Sequence, residues 1–359
     1  MCEIMIEYYL IIAKFIKGGK RVKKKSFLLT TILILTFSMI LAACGGDKDE
    51  KANTTEKDNG AKETEDTKKP EFISILTGGT GGTYYPLGGS FAEIISDETG
   101  IDTSAEVTGA SAENMTTLKA GDGEIAFSQT DITSYAKEGK LMFEGNAVDN
   151  IKAIGTLYPE TIQIVTTANA GIKTVEDLKG KKVSIGAPGS GTAANAEQIL
   201  EVYGMTLDDI EKQDLSFDES TQGIQDGTID AAFVTAGTPT GSVEGLSATE
   251  DVVIVPIDQD KIDALMEKYP YYVKDEVPAG TYKLKEAAPT VAVQAMLVVR
   301  DDLSEEVVYD ITKAIFENLD RVTHAKGKVI KAENAVKGVG IEIHPGAQKF
   351  YDEKGIKAE

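Results

Sequence analysis

The chain has 359 residues, 37 Lys and Arg against 58 Asp and Glu, and 42% hydrophobic residues, enough for about two domains with buried cores. Its net charge of −21 argues against a nucleic-acid binder, because phosphate backbones reward Lys and Arg. Two Cys, two His and no Trp leave little material for zinc clusters, disulfide scaffolds, Cys–His nucleophile pairs or an aromatic carbohydrate platform, so the chemistry must rest on hydroxyls, carboxylates, amides and backbone groups.

Lys23, Lys24 and Lys25 precede an apolar run over 27–41 that leads into Leu41-Ala42-Ala43-Cys44. A basic region, an apolar region and small residues before a cut site predict a secretory signal peptide over 1–43. Cys44 directly after Leu-Ala-Ala resembles the bacterial lipobox, in which the thiol is acylated and becomes the new N-terminus. The run is short for a spanning helix, which needs about 20 apolar residues. Residues 1–21 fit no part of such a leader. Lys17-Gly18-Gly19 can be encoded by AAAGGAGGN, a ribosome-binding sequence, so translation is expected to begin at Val22 from a GTG codon. Seven Lys/Arg and two Glu precede Cys44, so the processed chain is expected to hold 30 basic and 56 acidic residues, a net charge of −26. Residues 44–70 comprise that Cys and a polar, charged segment ending at Pro70, which reads as a flexible tether.

The folded body is expected from Glu71, and it carries one pattern twice. A β-prone run at 72–76 leads into the Gly-rich turn 77–83. A helix over 86–96, a strand at 103–108, a helix over 112–120 and a strand at 124–128 follow. The pattern recurs with a strand at 183–185, a Gly-rich turn at 186–192 and a helix over 193–203. A strand at 214–217 and a helix over 220–225 come next. Gly123-Glu124-Ile125-Ala126-Phe127 and Gly227-Thr228-Ile229-Asp230-Ala231-Ala232-Phe233 close the two copies alike. Alternating strands and helices imply mostly parallel sheets with right-handed crossovers. Two copies imply two lobes, 71–160 and 161–253, and ligands of such sheets sit beyond the carboxyl ends of the strands.

Neither Gly-rich turn is a sound nucleotide site. The first has Tyr84 where Gly-x-Gly-x-x-Gly needs its last glycine, and the second lacks the Lys of a P-loop. Tight strand-to-helix turning alone accounts for the glycines as one reading. The other is that backbone N–H groups at two helix N-termini, with nearby hydroxyls, hold a small anion.

Several segments together resemble a known family. The lipobox, the loop 76–88 (Leu-Thr-Gly-Gly-Thr-Gly-Gly-Thr-Tyr-Tyr-Pro-Leu-Gly), Gln129-Thr130-Asp131, the segment 175–183 and Gly189-Ser190-Gly191-Thr192 are similar to the TAXI family, the solute-binding receptors of tripartite ATP-independent periplasmic (TRAP) transporters. Residues 278–282 and 289–293 extend the likeness, which covers 71 to about 350. The resemblance implies an α/β, two-lobed, periplasmic-binding-protein-like type II fold with hinge crossovers. The implied receptor closes on glutamate or a similar small carboxylate and delivers it to membrane permease subunits, without cofactor or metal. By motif position it implies a site of Gly81, Gly82, Thr83, Tyr84, Ser111, Asn114, Gln129, Asp131, Tyr158, Ser190, Gly191, Thr192 and Thr235. Hydroxyl and N–H donors would take carboxylate oxygens, and Asp131 an ammonium group. Local helix capping is the plainer role for Ser111, Thr192 and Asp131.

Crossings between lobes are expected near 156–163 and 252–257, with a strand at 291–299 along the hinge. The segment 254–359 is expected to return mainly to the first lobe. Arg300 and Arg321, the two Arg after Cys44, lie on neither Gly-rich turn, so ligand capture should use neutral donors rather than a guanidinium clamp. His324 and His344 are expected at the surface, and Tyr269, Tyr271 and Tyr272 in packing, with one of the three reaching the cleft as the alternative. A sensory receptor of the same fold is the alternative reading. A secreted hydrolase using Ser190 or Asp131 is a weaker one, since Ser190 lacks Gly-x-Ser-x-Gly and a neighbouring His.

Overall fold

The computed structural model describes residues 69–357; the expected signal peptide, Cys44 and most of the tether lie outside them. β1 (Phe72–Leu76) runs into α1 (Tyr84–Thr99), β2 (Asp102–Glu106), α2 (Ser111–Ala120), β3 (Ile125–Gln129) and α3 (Thr130–Glu138). β4 (Ile151–Thr167) is followed by β5 (Lys182–Ser184), α4 (Gly191–Val202), β6 (Glu211–Gln213), α5 (Phe217–Gln225), β7 (Ala231–Ala236), α6 (Gly241–Thr249) and β8 (Val252–Ile254). Then come α7 (Gln259–Lys268), β9 (Val273–Val277), β10 (Ala288–Arg300), α8 (Glu305–Glu317) and α9 (Pro345–Glu353).

The strands form one sheet in the order β2-β1-β3-β10-β4-β7-β5-β6, with β8 on β4 and β9 on β10. β1 is parallel to β2 and β3, and β5 is parallel to β6 and β7. The long strands β4 and β10 pair antiparallel with each other and with their outer neighbours β7 and β3. Each half is therefore a parallel three-stranded sheet, as the repeat predicts, but both are built onto a shared antiparallel pair.

Period-two alternation distributes the core. On β10, Ala295, Leu297 and Val299 face the cluster built by α1, α8 and α9, while Met296 and Val298 face the one with α2 and α3. On β7, Phe233 packs with Val183 and Ile199, and Val234 packs with Val243 and Leu246. α1 buries Leu87, Phe91, Ile94 and Ile95 at helical spacing. It stops at Gly100, whose φ of 71° lets its N–H reach the Ser96 carbonyl.

Three expectations are corrected. The strand expected at 214–217 lies at Glu211–Gln213, because Ser216 starts α5 in a capping box: Glu219 N–H donates to Ser216 Oγ (3.3 Å), and Ser216 N–H donates to the Glu219 carboxylate (2.9 Å). No crossing occurs at 252–257. β8 pairs with β4 at residues 165–167, and Ile257, Ile262, Leu265 and Tyr272 stay in the second-half core beside Val183, so the chain crosses back within β10. His344 is buried, where its Nδ1 caps α9 by accepting the Gly346 N–H (3.2 Å) and its Nε2 meets the Leu303 carbonyl (3.1 Å).

Phe127 lies fully buried at the centre of the first half, 5.0 Å from the Tyr84 ring and 5.8 Å from that of Phe91. Phe127→Ala is expected to lower unfolding free energy by about 3–5 kcal/mol, read as a shift of the urea midpoint at unchanged slope.

Candidate functional site

All six parallel strands end toward the groove between the two halves, and their loops enclose a cavity of about 70 Å³. Gly78, Gly79 and Gly82–Tyr84 follow β1, and Thr108–Ser111 follow β2; Gln129 is the last residue of β3. From the other half come Ala187 and Ser190–Thr192 after β5, Ser216 and Phe217 after β6, and Thr235 and Ala236 in β7. Glu160 enters from β4. Four helices, α1, α2, α4 and α5, thus begin on the wall. Helix N-termini carry partial positive charge and N–H groups without intrahelical partners, so the wall favours negative charge without a single Lys or Arg. Ala110, which precedes α2 on this wall, holds φ 77° and ψ −143°, a region that costs roughly 1–3 kcal/mol for a residue with a side chain.

The halves are closed on one another. Gly189 O, in the loop before α4, accepts from Ala112 N (2.9 Å) and Glu113 N (3.0 Å) of α2. Ser242 N donates to Gly81 O (3.1 Å), and Gly237 N donates to Thr83 Oγ1 (3.1 Å). Asn195 ties both halves together inside the groove. Its Oδ1 accepts from Gln129 Nε2 (2.8 Å) and Thr235 Oγ1 (3.1 Å), and its Nδ2 donates to Asp131 Oδ2 (2.9 Å) and Tyr272 Oη (2.9 Å).

Of the thirteen residues proposed from the sequence, Gly82, Thr83, Tyr84, Ser111, Gln129, Ser190, Gly191, Thr192 and Thr235 line the cavity. The other four do not. Gly81 meets α5 across the groove, where a Cβ would lie 2.2 Å from Asp218 Oδ1. Asn114 Nδ2 donates to the Thr77 (2.7 Å) and Phe127 (2.8 Å) carbonyls, tying strand ends together. Asp131 is taken up by Asn195. Tyr158 is buried behind the wall. Gly191 has a steric reason to lack a side chain, since a Cβ there would fall 1.4 Å from Gln129 Oε1 and 2.8 Å from Ile132 Cγ1.

Two groups on the wall are chemically exposed in a particular sense. The Ser190 hydroxyl is buried without a hydrogen-bond partner among the described residues, a state that natural structures rarely leave unused. Glu160, absent from the sequence reading, is a carboxylic acid in an otherwise donor-rich wall; Tyr84 Oη donates to its Oε2 at 2.5 Å. Its signal was present as one acid in the long β-prone run 151–167. Burial drives its pKa well above the ordinary Glu range, against the Tyr84 hydrogen bond. Burial also raises Asp131 to about 6, with the Ile132 N–H and the Asn195 amide pulling it back. Arg300 and Arg321 are bound elsewhere, to Asp302 and Asp97. Among the described residues no cluster of His, Cys, Asp and Glu is arranged to hold a metal ion.

This architecture, two α/β halves around a groove and joined by long shared strands, is the type II periplasmic-binding-protein fold. The chain belongs to the NMT1-like family, which it matches over residues 75–355. It is similar to a solved protein from Bordetella bronchiseptica RB50, at 15% identity and a TM-score of 0.52, over 79% of this chain and 98% of that one. Weaker likenesses link it to the periplasmic aliphatic sulphonate binding protein SsuA of Escherichia coli (14% identity, TM-score 0.42, 79% of this chain and 84% of that one) and to PhnD1 of Prochlorococcus marinus MIT 9301, solved with methylphosphonate (12%, 0.48, 73% and 89%). Identities of this size bear on fold alone.

Two outcomes follow from the geometry. Gly191→Ala should fold but leave the halves apart, because the new methyl displaces Gln129 from Asn195; small-angle scattering should show a larger radius of gyration than the parent. Asp131 keeps a proton in the folded state that the unfolded chain loses near pH 4. Its contribution to stability is therefore full below about pH 4 and is lost as pH rises through about 6. Asp131→Asn should remove that downward slope, seen as a parent-minus-variant difference in unfolding free energy that falls between those limits.

Proposed function

We propose that the protein is an extracytoplasmic solute-binding receptor that encloses a small organic anion between its two halves and hands it to membrane transport subunits. The observation that carries this reading is the cavity itself. It sits where all six parallel strands end, four helix N-termini start on its wall, and one buried hydroxyl, Ser190, faces it without a partner. Neutral donors of this kind suit a carboxylate, as Gly-rich helix starts do generally. The likeness of the loops 76–88 and 189–192 to the TAXI receptors supports glutamate or a related small carboxylate as ligand and a TRAP permease as recipient. Acylation of Cys44 would hold the receptor to the outer face of the cell membrane, with residues 45–69 as tether. The wall carries neither His nor Cys, which supports capture and release of the ligand unchanged rather than turnover.

Calorimetry of the purified protein against amino acids, dicarboxylates, sulphonates and phosphonates tests the proposal, and binding of a carboxylate compound is the expected outcome. Absence of heat and of thermal shift with all of them would count against it. Ser190→Ala is expected to weaken the ligand by about tenfold, in line with a hydrogen bond to a charged group. Without ligand the variant should melt no lower than the parent, since a methyl replaces an unpartnered hydroxyl.

A further inference from the structure

The cavity wall combines two opposite chemistries. Helix starts and hydroxyls offer positive partial charge on most sides, while Glu160, 2% exposed, presents a carboxyl group on β4. No Lys or Arg among the described residues lies within ion-pair distance of it. The groups that face it are Tyr84 from α1, Tyr158 from its own strand, Asp131 from α3, and Lys326 from the turn Ala325–Lys328. Of these, Tyr84 is hydrogen-bonded to it, Asp131 opposes its ionisation, and Lys326 acts on it only at a distance. A buried carboxylate without a cation is costly, and burial pushes the Glu160 carboxyl well above the ordinary Glu range.

We propose that Glu160 accepts the ammonium group of the ligand, so that the solute is a zwitterionic α-amino acid rather than a plain mono- or dicarboxylate. The proposal rests on the receptor reading above. Ser190, at the start of α4, and Glu160 line the same cavity of about 70 Å³; on this proposal the ligand's carboxylate sits at the first and its ammonium at the second. The two ligand classes then differ in proton balance. An ammonium group that donates to Glu160 stabilises the carboxylate form, and the Glu160 proton leaves to the buffer as the complex forms. A second carboxylate in the same place would keep Glu160 protonated. Asp131, the acid favoured from the sequence for this role, does not line the cavity.

The test compares L-glutamate with glutarate, the same skeleton without its amino group. It then compares the tightest binder of the twenty amino acids with its own deamino analogue. Calorimetry of the purified protein is run in two buffers of different ionisation heat and across about pH 5.5–8. The amino acid is expected to release a proton and to bind more tightly as pH rises, by at most tenfold per unit. The deamino analogue should bind about tenfold to a hundredfold more weakly. Glu160→Gln should lose the buffer dependence and most of that preference. Equal affinity for the pair, or an amino acid bound without proton release, would overturn the assignment, and because both are read on the unaltered protein they do not depend on how the variant folds. Binding of glutarate, methanesulfonate or methylphosphonate but no amino acid would also overturn it while leaving the receptor reading intact; failure of every compound would overturn both.

Discussion

The rest of the structure hangs on the antiparallel pairing of β4 and β10. The two strands run together from Ile151 opposite Arg300 to Thr161 opposite Ala292, and each passes from one half into the other. β3 is added to β10 on one flank, β7 to β4 on the other, and the parallel strands of each half follow outward. Since both faces of this pair are covered by helices, side chains pointing either way are apolar, which is why 291–299 reads as an almost continuous hydrophobic run. The ladder is irregular between Gln294 and Met296, where pairing with β3 begins at Ala295, and again between Leu297 and Val298. Bulges of this kind increase local twist, and here they let one continuous sheet present two halves to a common groove.

That arrangement divides the labour of the site. Donor groups lie on loops and helix starts, which belong to one half or the other and meet when the halves approach. Glu160 lies on β4 opposite Val293, within the shared pair. The wall's one acid is thus held by the strand pair that both halves share. Closure draws on hydrogen bonds that include the Gly189 carbonyl on α2, Ser242 to Gly81, Thr80 to Asp218, the Gly237–Thr83 pair and the Asn195 cluster. Neutral hydrogen bonds of this type contribute about 0.5–1.5 kcal/mol each once exchange with water is counted. Such a balance is sensitive to an occupant that adds two or three contacts of its own.

The repeated strand–turn–helix pattern, both Gly-rich turns and the wall residues on them were legible in the sequence because each is local: periodicity, glycine and a following helix lie within a dozen residues. What escaped was set by pairing across long separations. Glu160 reads as one acid in a β-prone run, and nothing nearby reveals that Val293 and Tyr84 bury it. Asn195 sits inside α4 like any polar helix residue, yet Gln129, Asp131, Thr235 and Tyr272 converge on it from three other segments. The strand at 214–217 failed for a local reason, since the Ser216-x-x-Glu219 capping box outweighs the β-prone Leu215-Ser216-Phe217. The misplaced second crossing failed for a distant one, because Ile257 and Leu265 are claimed by a core already assembled from Val183 and Ile199.

The net charge of −21 and an anion-favouring cavity belong together once range is considered. Surface charges are screened over about 8 Å at physiological ionic strength, and helix ends act within their first turn. Some of the surface acids are paired locally, as with Asp209 and Lys179 or Asp97 and Arg321. The groove instead receives four helix starts and one acid whose ionisation burial opposes. The field at the cavity is therefore set by topology, by which strand ends face inward, and only weakly by the overall count of Asp and Glu. On the proposed function, an acidic protein can then take a ligand that bears a carboxylate, and the same topology that supplies the donors leaves Glu160, the one acid lining the cavity, to discriminate among such ligands by what they carry at the other end.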